Sequence, residues 1–181
     1  MAIRLANLKD AEKIVDIANK IKIKYPNPQN TGFLVYILTK RQYEQRIKQT
    51  SFFYVSGDKD INGFLMCYDD KTLATLVKKG ELNHENNLVN FILKQQRPYI
   101  FGDQIGVLSE NIREGIGENM MGALFKDMKR KGIKDMYVGV LHKPFTNQAS
   151  IEFCDSFGFK YISEVINEDN LAWGIYLLEL R

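Results

Sequence analysis

The sequence predicts one mixed α/β domain spanning residues 1–181, and three observations carry that prediction. Segments rich in aromatic and β-branched residues alternate with segments whose apolar residues recur at i, i+3, i+4 and i+7, the periods of strand and helix. Short links rich in turn-forming residues, such as Gly57-Asp58-Lys59-Asp60, separate strand segments in the manner of hairpins. The composition is 45% hydrophobic and 26% charged, with 4 Pro and 13 Gly, which suits a packed core and excludes a long disordered or collagen-like tract. No internal repeat, low-complexity tract or linker divides the chain.

The elements follow in order. Residues 2–6 alternate like a short strand, and Asn7 is placed to cap a helix with Ile14, Ile17, Ala18 and Ile21 on one face. Tyr25-Pro26-Asn27-Pro28 ends that helix. A short apolar run, Phe33 to Leu38, leads into a charged helix from about Thr39 to Lys48. Phe52 to Ser56 and Ile61 to Tyr68 read as a hairpin, because aromatic and β-branched side chains pack well on a pleated surface. Residues 71–96 are helical in pattern, and Arg97-Pro98 breaks them off. Tyr99 to Leu108 is a strand, and residues 109–117 form a polar loop bearing glycine. From Glu118 the set Met120, Met121, Leu124, Phe125 and Met128 marks an amphipathic helix that Gly132 closes. Asp135 to Leu141 is a strand, Asn147 to Phe157 a short helix closed by Gly158, and residues 159–166 and 171–180 a final hairpin.

Several function classes drop out on composition. Two cysteines, Cys67 and Cys154, make no disulfide framework, and two distant histidines, His84 and His142, make no zinc motif with them. No uncharged apolar run approaches the roughly 20 residues that cross a bilayer. The N-terminus lacks the apolar core of a signal peptide, so a cytoplasmic protein without a membrane partner is expected. The net charge of +3 suits an acidic ligand such as a nucleotide. A basic nucleic-acid-binding domain is a competing reading, but no recognition motif accompanies it.

The first feature with chemical content is the loop Ser109-Glu110-Asn111-Ile112-Arg113-Glu114-Gly115-Ile116-Gly117-Glu118, between a strand and a helix. Successive backbone N–H groups there, with those of the first helical turn, form a concavity suited to a phosphate, and glycine permits close approach. It is not a Walker loop, since no Gly-Lys-Ser/Thr follows, and Gly-x-Gly-x-x-Gly is not completed because position 120 is Met. The second feature is Asn147 to Phe159, an Asn-capped helix ended by Gly158-Phe159, with Asn147, Ile151 and Cys154 near one face.

In this order the two features resemble the GNAT superfamily of acyl-CoA-dependent N-acyltransferases. Residues 105–117 are similar to its strand, Arg-Gly-x-Gly-x-Gly/Ala loop and helix. Residues 147–159 are similar to its Asn-x-x-Ala-x-x-x-Tyr-x-x-x-Gly-Phe segment. The opening strand, helices and hairpin fit the family's order too, so the resemblance covers essentially the whole chain, with 71–96 a longer helical insertion between the third and fourth strands. It implies a central mixed, mostly antiparallel sheet of six to seven strands flanked by about four to five helices, with the fourth and fifth strands splayed. Acetyl-CoA, the implied co-substrate, would lie in that splay. Its pantetheine would bond the backbone of Ile105, Gly106 and Val107, with Asn147 on the same arm. Its pyrophosphate would sit on the amides of Ile112, Arg113, Glu114, Gly115, Ile116 and Gly117. Two positions depart from the family's pattern: Ile112 stands where Arg or Gln is usual, and Cys154 where many members carry a Tyr that protonates the departing thiolate.

The implied reaction is attack of a neutral amine on the thioester, which needs a proton acceptor and donors for the oxyanion. Cys154 reads as a proton donor, as an acyl-carrying nucleophile, or as a small buried hydrophobe. Base candidates are Asp103, Glu110, Tyr68 and His142. Asp103 shares a strand face with Ile105 and Val107, and reads equally as a carboxylate paired with Lys or Arg. His142 follows the fifth strand and titrates in the neutral range by residue type. Aromatic residues of 20–54 and Trp173 suit an amine acceptor, small molecule or peptide, by cation–π contact, and suit core packing as well. The alternative function is an acyl-CoA-binding sensor or interaction module of weak activity, and pairing of two protomers through sheet edges is compatible with the pattern.

Overall fold

A computed structural model describes all residues except 1, 25–30, 83–85, 109, 110, 112 and 113. Among the described residues there are seven strands, in hydrogen-bonded order β1-β2-β3-β4-β5-β7-β6, and six α-helices. The chain forms two compact units, residues 1–67 with 104–131 and residues 68–103 with 132–181.

In the first unit β1 (Ile3–Leu5), β2 (Phe52–Ser56) and β3 (Gly63–Asp69) pair antiparallel, with Phe52 opposite Cys67 and Ser56 opposite Gly63. Asn7 caps a 3₁₀ turn, Leu8–Asp10, in a reciprocal capping box with Asp10, and the helix α1 (Ala11–Lys20) follows directly. Ile14, Ile17 and Ala18 face the core as their spacing predicts. The helix ends at Lys20, before the Pro-bearing segment 25–28, which lies outside the described residues; residues 33–38 form no named strand, and only Leu34 among them makes a bridge, to Lys22. Thr39 and Gln42 form a second capping box for α2 (Lys40–Gln49). Tyr43 of α2 packs edge-on against Phe64 of β3, centroids 5.9 Å apart, which makes it core. The fifth helix, α5 (Ile116–Arg130), buries Met120, Met121, Leu124 and Met128. Ile116 is 1% exposed, so the helix starts two residues before Glu118 because that side chain belongs to the core.

In the second unit the predicted insertion forms two helices, α3 (Asp70–Lys78) and α4 (Asn87–Leu93), which raises the helix count above the four to five expected. Asp69 and Asn86 cap them by accepting from the Thr72 and Val89 amides. The central strands are β5 (Asp135–Lys143) and β7 (Ala172–Glu179), antiparallel, with β6 (Lys160–Ile166) on the outer side of β7. Between β5 and β6 runs α6 (Gln148–Ser156), capped by Asn147. Leu88 of α4 lies where a Cβ on Gly139 of β5 would sit, so the bare glycine lets the helix approach the strand. The β6–β7 turn is tied to α4 as well: Asn167 accepts from the Leu88 amide (3.2 Å) and Asn87 donates to the Ile166 carbonyl (2.6 Å).

The strand β4 (Tyr99–Val107) runs parallel to β5. Their ladder starts at Tyr99 opposite Asp135 and ends at Gly102 opposite Val138, although β4 continues to Val107 and β5 to Lys143. Two strands that share a ladder only at their N-terminal ends form the splay expected of the fourth and fifth strands.

Candidate active site

In the first unit the relevant backbone is the C-terminal half of β4 and the loop that leads from it into α5. Gln104 and Gly106 are buried, whereas Ile105 and Val107 are partly exposed, so the strand turns one face to the core. Gln104 is held by the Tyr43 hydroxyl (2.8 Å) and donates to the Tyr36 carbonyl (3.0 Å). A Cβ on Gly106 would strike Ile21 and Phe64, so this glycine serves close packing beneath the strand. Its neighbours Ile105 and Val107 occupy the open face.

After β4, Asn111 donates to the Glu114 carboxylate (3.0 Å), which turns that side chain back on its own loop. Gly115 has φ 68° and is the N-cap of α5, a left-handed position where glycine is unstrained. Gly117 is buried in the first helical turn. The N–H groups of that turn lack intrahelical partners by geometry, and the helix dipole adds partial positive charge there. Ile112 and Arg113 of the predicted phosphate loop, and Glu110 among the base candidates, lie outside the described residues.

In the second unit the structure brings together two polar groupings. The first joins β3 and β4: the Tyr68 hydroxyl donates to Asp103 Oδ2 (3.0 Å), so two of the base candidates are partners of each other. The second surrounds His142. Among β5–β7 pairs the register shifts between Leu141 and Lys143, and His142 is the bulged residue. Its ring lies over Gly174 of β7, in the space a Cβ there would fill. Nδ1 is 3.1 Å from Glu164 Oε2 on β6, and Nε2 is 3.0 Å from the Tyr176 hydroxyl on β7. Tyr161 of β6 stacks on the ring at 5.8 Å and 20°.

Asn147 spends its side-chain oxygen on the Ser150 amide, and its own amide donates to the Leu141 carbonyl (2.9 Å), which fixes α6 to the end of β5. Cys154, on the inner face of α6, is 6% exposed. Burial, reinforced by Asp155, pushes its thiol up to about 12. Such a thiol is almost wholly protonated near neutral pH, a poor nucleophile by the usual thiolate criterion. Burial raises the Tyr176 phenol as well, with smaller contributions from Cys154, Asp155 and Tyr161.

Of the aromatics weighed as an acceptor pocket, Tyr43, Phe52 and Tyr54 are core residues and Phe33 is buried, while Tyr36 is exposed. Tyr25, in the same group, and His84 lie outside the described residues. Sequence reasoning passed over Glu164, Tyr176 and Tyr161. The one signal for them was Gly174, a lone glycine in the bulky run Ala172-Trp173-Gly174-Ile175-Tyr176, which marks a close approach. Among the described residues no group of His, Cys, Asp and Glu is arranged to hold a metal, and no helix is long and apolar enough to cross a membrane.

No family model and no curated protein matches the sequence. Solved structures do match the fold. Ard1 from Thermoplasma volcanium superposes with a TM-score of 0.71 at 15% identity, covering 99% of this chain and 97% of that one. Naa20 of Chaetomium thermophilum, solved with a bisubstrate analogue, gives 0.70 at 13% identity over 99% and 87% of the two chains. The PaiA N-acetyltransferase from Thermoplasma acidophilum, solved with coenzyme A, gives 0.65 at 16% identity over 98% of each. With the strand order, the parallel β4–β5 pair and the end of its ladder at Gly102, these likenesses identify the fold as that of the GNAT superfamily of N-acetyltransferases.

Proposed function

We propose that this protein is an acetyl-CoA-dependent N-acetyltransferase that acetylates a primary amine of a small molecule or peptide by direct attack. The observation that carries the reading is the end of the β4–β5 ladder at Gly102, which leaves β4 to run on through Ile105, Gly106 and Val107 without further β5 register. A pantetheine amide chain can add to such a backbone as an extra strand does, using main-chain hydrogen bonds and few particular side chains. The α5 N-terminus, entered through Gly115 in the left-handed conformation, suits the pyrophosphate. Coenzyme A bound to PaiA and the bisubstrate analogue bound to Naa20 support the same ligand class on this fold.

In the reaction the amine nitrogen attacks the thioester carbonyl, the C–N bond forms, and the C–S bond breaks to release the thiolate. Asp103, on β4 just past the end of the ladder, and its Tyr68 partner on β3 orient the acceptor ammonium and draw a proton from it. Asn147 shapes the arm-binding end of α6, and Cys154 forms apolar wall beside it. One observation favours the second reading, an acyl-CoA sensor of weak activity: the residue where the family places a tyrosine acid is a buried thiol pushed up to about 12.

Calorimetric titration with acetyl-CoA tests the binding step. Wild type is expected to bind at micromolar affinity, roughly −8 kcal/mol. Gly115→Asp, which the left-handed conformation tolerates, puts a carboxylate at the phosphate position and should weaken binding at least about tenfold while circular dichroism is unchanged. Equal affinity for both proteins overturns the placement of the pyrophosphate. Release of free thiol in the presence of a panel of amines then separates the enzyme from the sensor.

A further inference from the structure

We infer that Glu164, His142 and Tyr176 form a proton relay in which Tyr176 takes the proton from the acceptor amine and His142 passes it to solvent. The inference rests on the acyl-transfer reading above and adds three residues, Tyr176, His142 and Glu164, to its chemistry.

The geometry sets the direction of each hydrogen bond. An ionised carboxylate only accepts, so Glu164 selects the tautomer with the proton on Nδ1. That leaves Nε2 as an acceptor, and the Tyr176 hydroxyl donates to it at 3.0 Å. The phenolic oxygen then keeps lone pairs to receive a proton from a nitrogen. This is the arrangement of a nucleophile–histidine–carboxylate triad with a phenol in the first place.

The sheet builds the three groups as a unit. Glu164 pairs across β6–β7 with Gly174, and Gly174 pairs across β5–β7 with Val140. The missing Cβ at Gly174 is what admits the imidazole, and the bulge at His142 is what aims it. Exposure rises along the chain of groups: Tyr176 is 5% exposed, the His142 side chain 19% and the Glu164 side chain 32%. A proton received at the buried phenol therefore has a path outward.

The inner end of the relay is one strand away from the paired part of β4. Tyr176 is opposite Val138, and Val138 is opposite Gly102, the last β4 residue in the ladder. A Cβ on Gly102 would touch the Val138 side chain, so that row presents one face. The groups facing the relay are Tyr161 and Glu164 from β6, Tyr176 from β7, and Cys154 and Asp155 from α6 near the phenol. Lys143 follows His142 in the chain and is exposed.

The proton balance closes without another reagent. The amine nitrogen forms the C–N bond and the C–S bond breaks. The N–H proton moves to Tyr176 Oη as the phenolic proton moves to His142 Nε2. The imidazolium, held by Glu164, gives its proton to water, and the thiolate takes one from water.

The test is the pH dependence of kcat and KM between about pH 5.5 and 9 for wild type, Tyr176→Phe, His142→Gln and the double variant, since general-base contributions of about 10²-fold are usual. Tyr176→Phe keeps the ring and its packing, and circular dichroism checks the fold. The expected result is a fall in kcat of about 10²-fold for each single variant with KM for acetyl-CoA within about twofold. The double variant should be no slower than either single one, as expected of residues that act as one unit. Both singles should lose the acidic limb of the wild-type profile. Glu164→Gln should lower kcat by about tenfold, since it orients the ring without touching substrate. An active wild type whose Tyr176→Phe variant keeps kcat and the limb overturns the relay alone. A folded wild type that binds acetyl-CoA and acetylates no amine overturns the acyl-transfer reading and the relay with it.

Discussion

Tyr54 of β2 and Tyr176 of β7 sit in different units, each nearly buried, each with a hydroxyl on a polar side chain and a cysteine nearby. Tyr54 donates to Asp127 Oδ2 at 2.7 Å, and Asp127 is ion-paired with Arg130 at 2.8 Å. The pair pins β2 to α5. Tyr176 is instead hydrogen-bonded to the His142 imidazole, a group that can both accept and donate a proton. The same donor makes an anchor in one place and a conduit in the other, and the acceptor decides which.

The largest expected effect concerns the thiols beside the two phenols. With Cys154 pushed up to about 12, its labelling by a thiol reagent at pH 8 should run about 10³-fold slower than that of an unperturbed cysteine. Cys67 is fully buried and should react no faster. Rapid labelling in the folded protein that the Cys154→Ala variant abolishes would mean that the wall near Tyr176 is open and that the two regions differ in packing as well as chemistry.

Next is the anchor itself. Asp127→Ala leaves the Tyr54 hydroxyl buried without its acceptor and should cost about 2–3 kcal/mol of stability, read from urea unfolding at constant m-value. Acetyl transfer per folded molecule should be unchanged. A variant that loses turnover and keeps its stability would make Tyr54 something other than an anchor.

Alkaline unfolding separates the phenols further. Burial, then the bond to Asp127, raises Tyr54 well above the ordinary tyrosine range. A group held protonated only in the folded state stabilises fully below its unfolded value, and that contribution is lost as pH rises. Above pH 10 the wild type should therefore lose about 1.4 kcal/mol per pH unit more than Tyr54→Phe does. Tyr99, pushed up to about 12 by burial, loses stability in the same window in both proteins and cancels in the difference. Parallel curves would contradict the direction of the Tyr54 shift.

The contrast also explains which parts of the molecule could be read from sequence. Amphipathic helices and strands are local patterns, so Ile14, Ile17, Met120 and Leu124 fell where their spacing put them, and the β2–β3 pair followed from its aromatic run and turn. Asn7 and Thr39 were legible as caps or helix starts because a cap acts within three residues. Helix α5 was placed two residues late because Ile116 is core only through tertiary contacts, which periodicity from Met120 does not reveal. The site divides in the same way. His142 and Asp103 could be named as titratable groups on or next to strands, but their partners depend on register. Glu164 meets His142 only because β6 pairs with β7 through Gly174, and Tyr68 meets Asp103 across 35 residues of chain. Alternation along a single strand cannot supply such pairings.

The smallest expected effect lies at the other end of the ladder that carries the relay. Asp135 is opposite Glu179 in the β5–β7 register, with the ladder running from that pair to Lys143 opposite Ala172. Burial, then repulsion from Glu179, raises the Asp135 carboxyl against a smaller opposing pull from Lys134. For an acid raised in the folded state, stability is full below the unfolded value, near pH 4, and declines as pH rises through the folded value. At neutral pH the two carboxylates therefore work against the sheet. Glu179→Gln removes one charge, keeps the shape, and should add about 0.2–1 kcal/mol at pH 7 and close to nothing at pH 3. Because the change sits three pairs along the register from Tyr176 and at an exposed position, kcat and its acidic limb should not move. A limb that shifted with Glu179→Gln would mean that the ladder carries charge effects along its length, and that the relay answers to the whole sheet rather than to its own three groups.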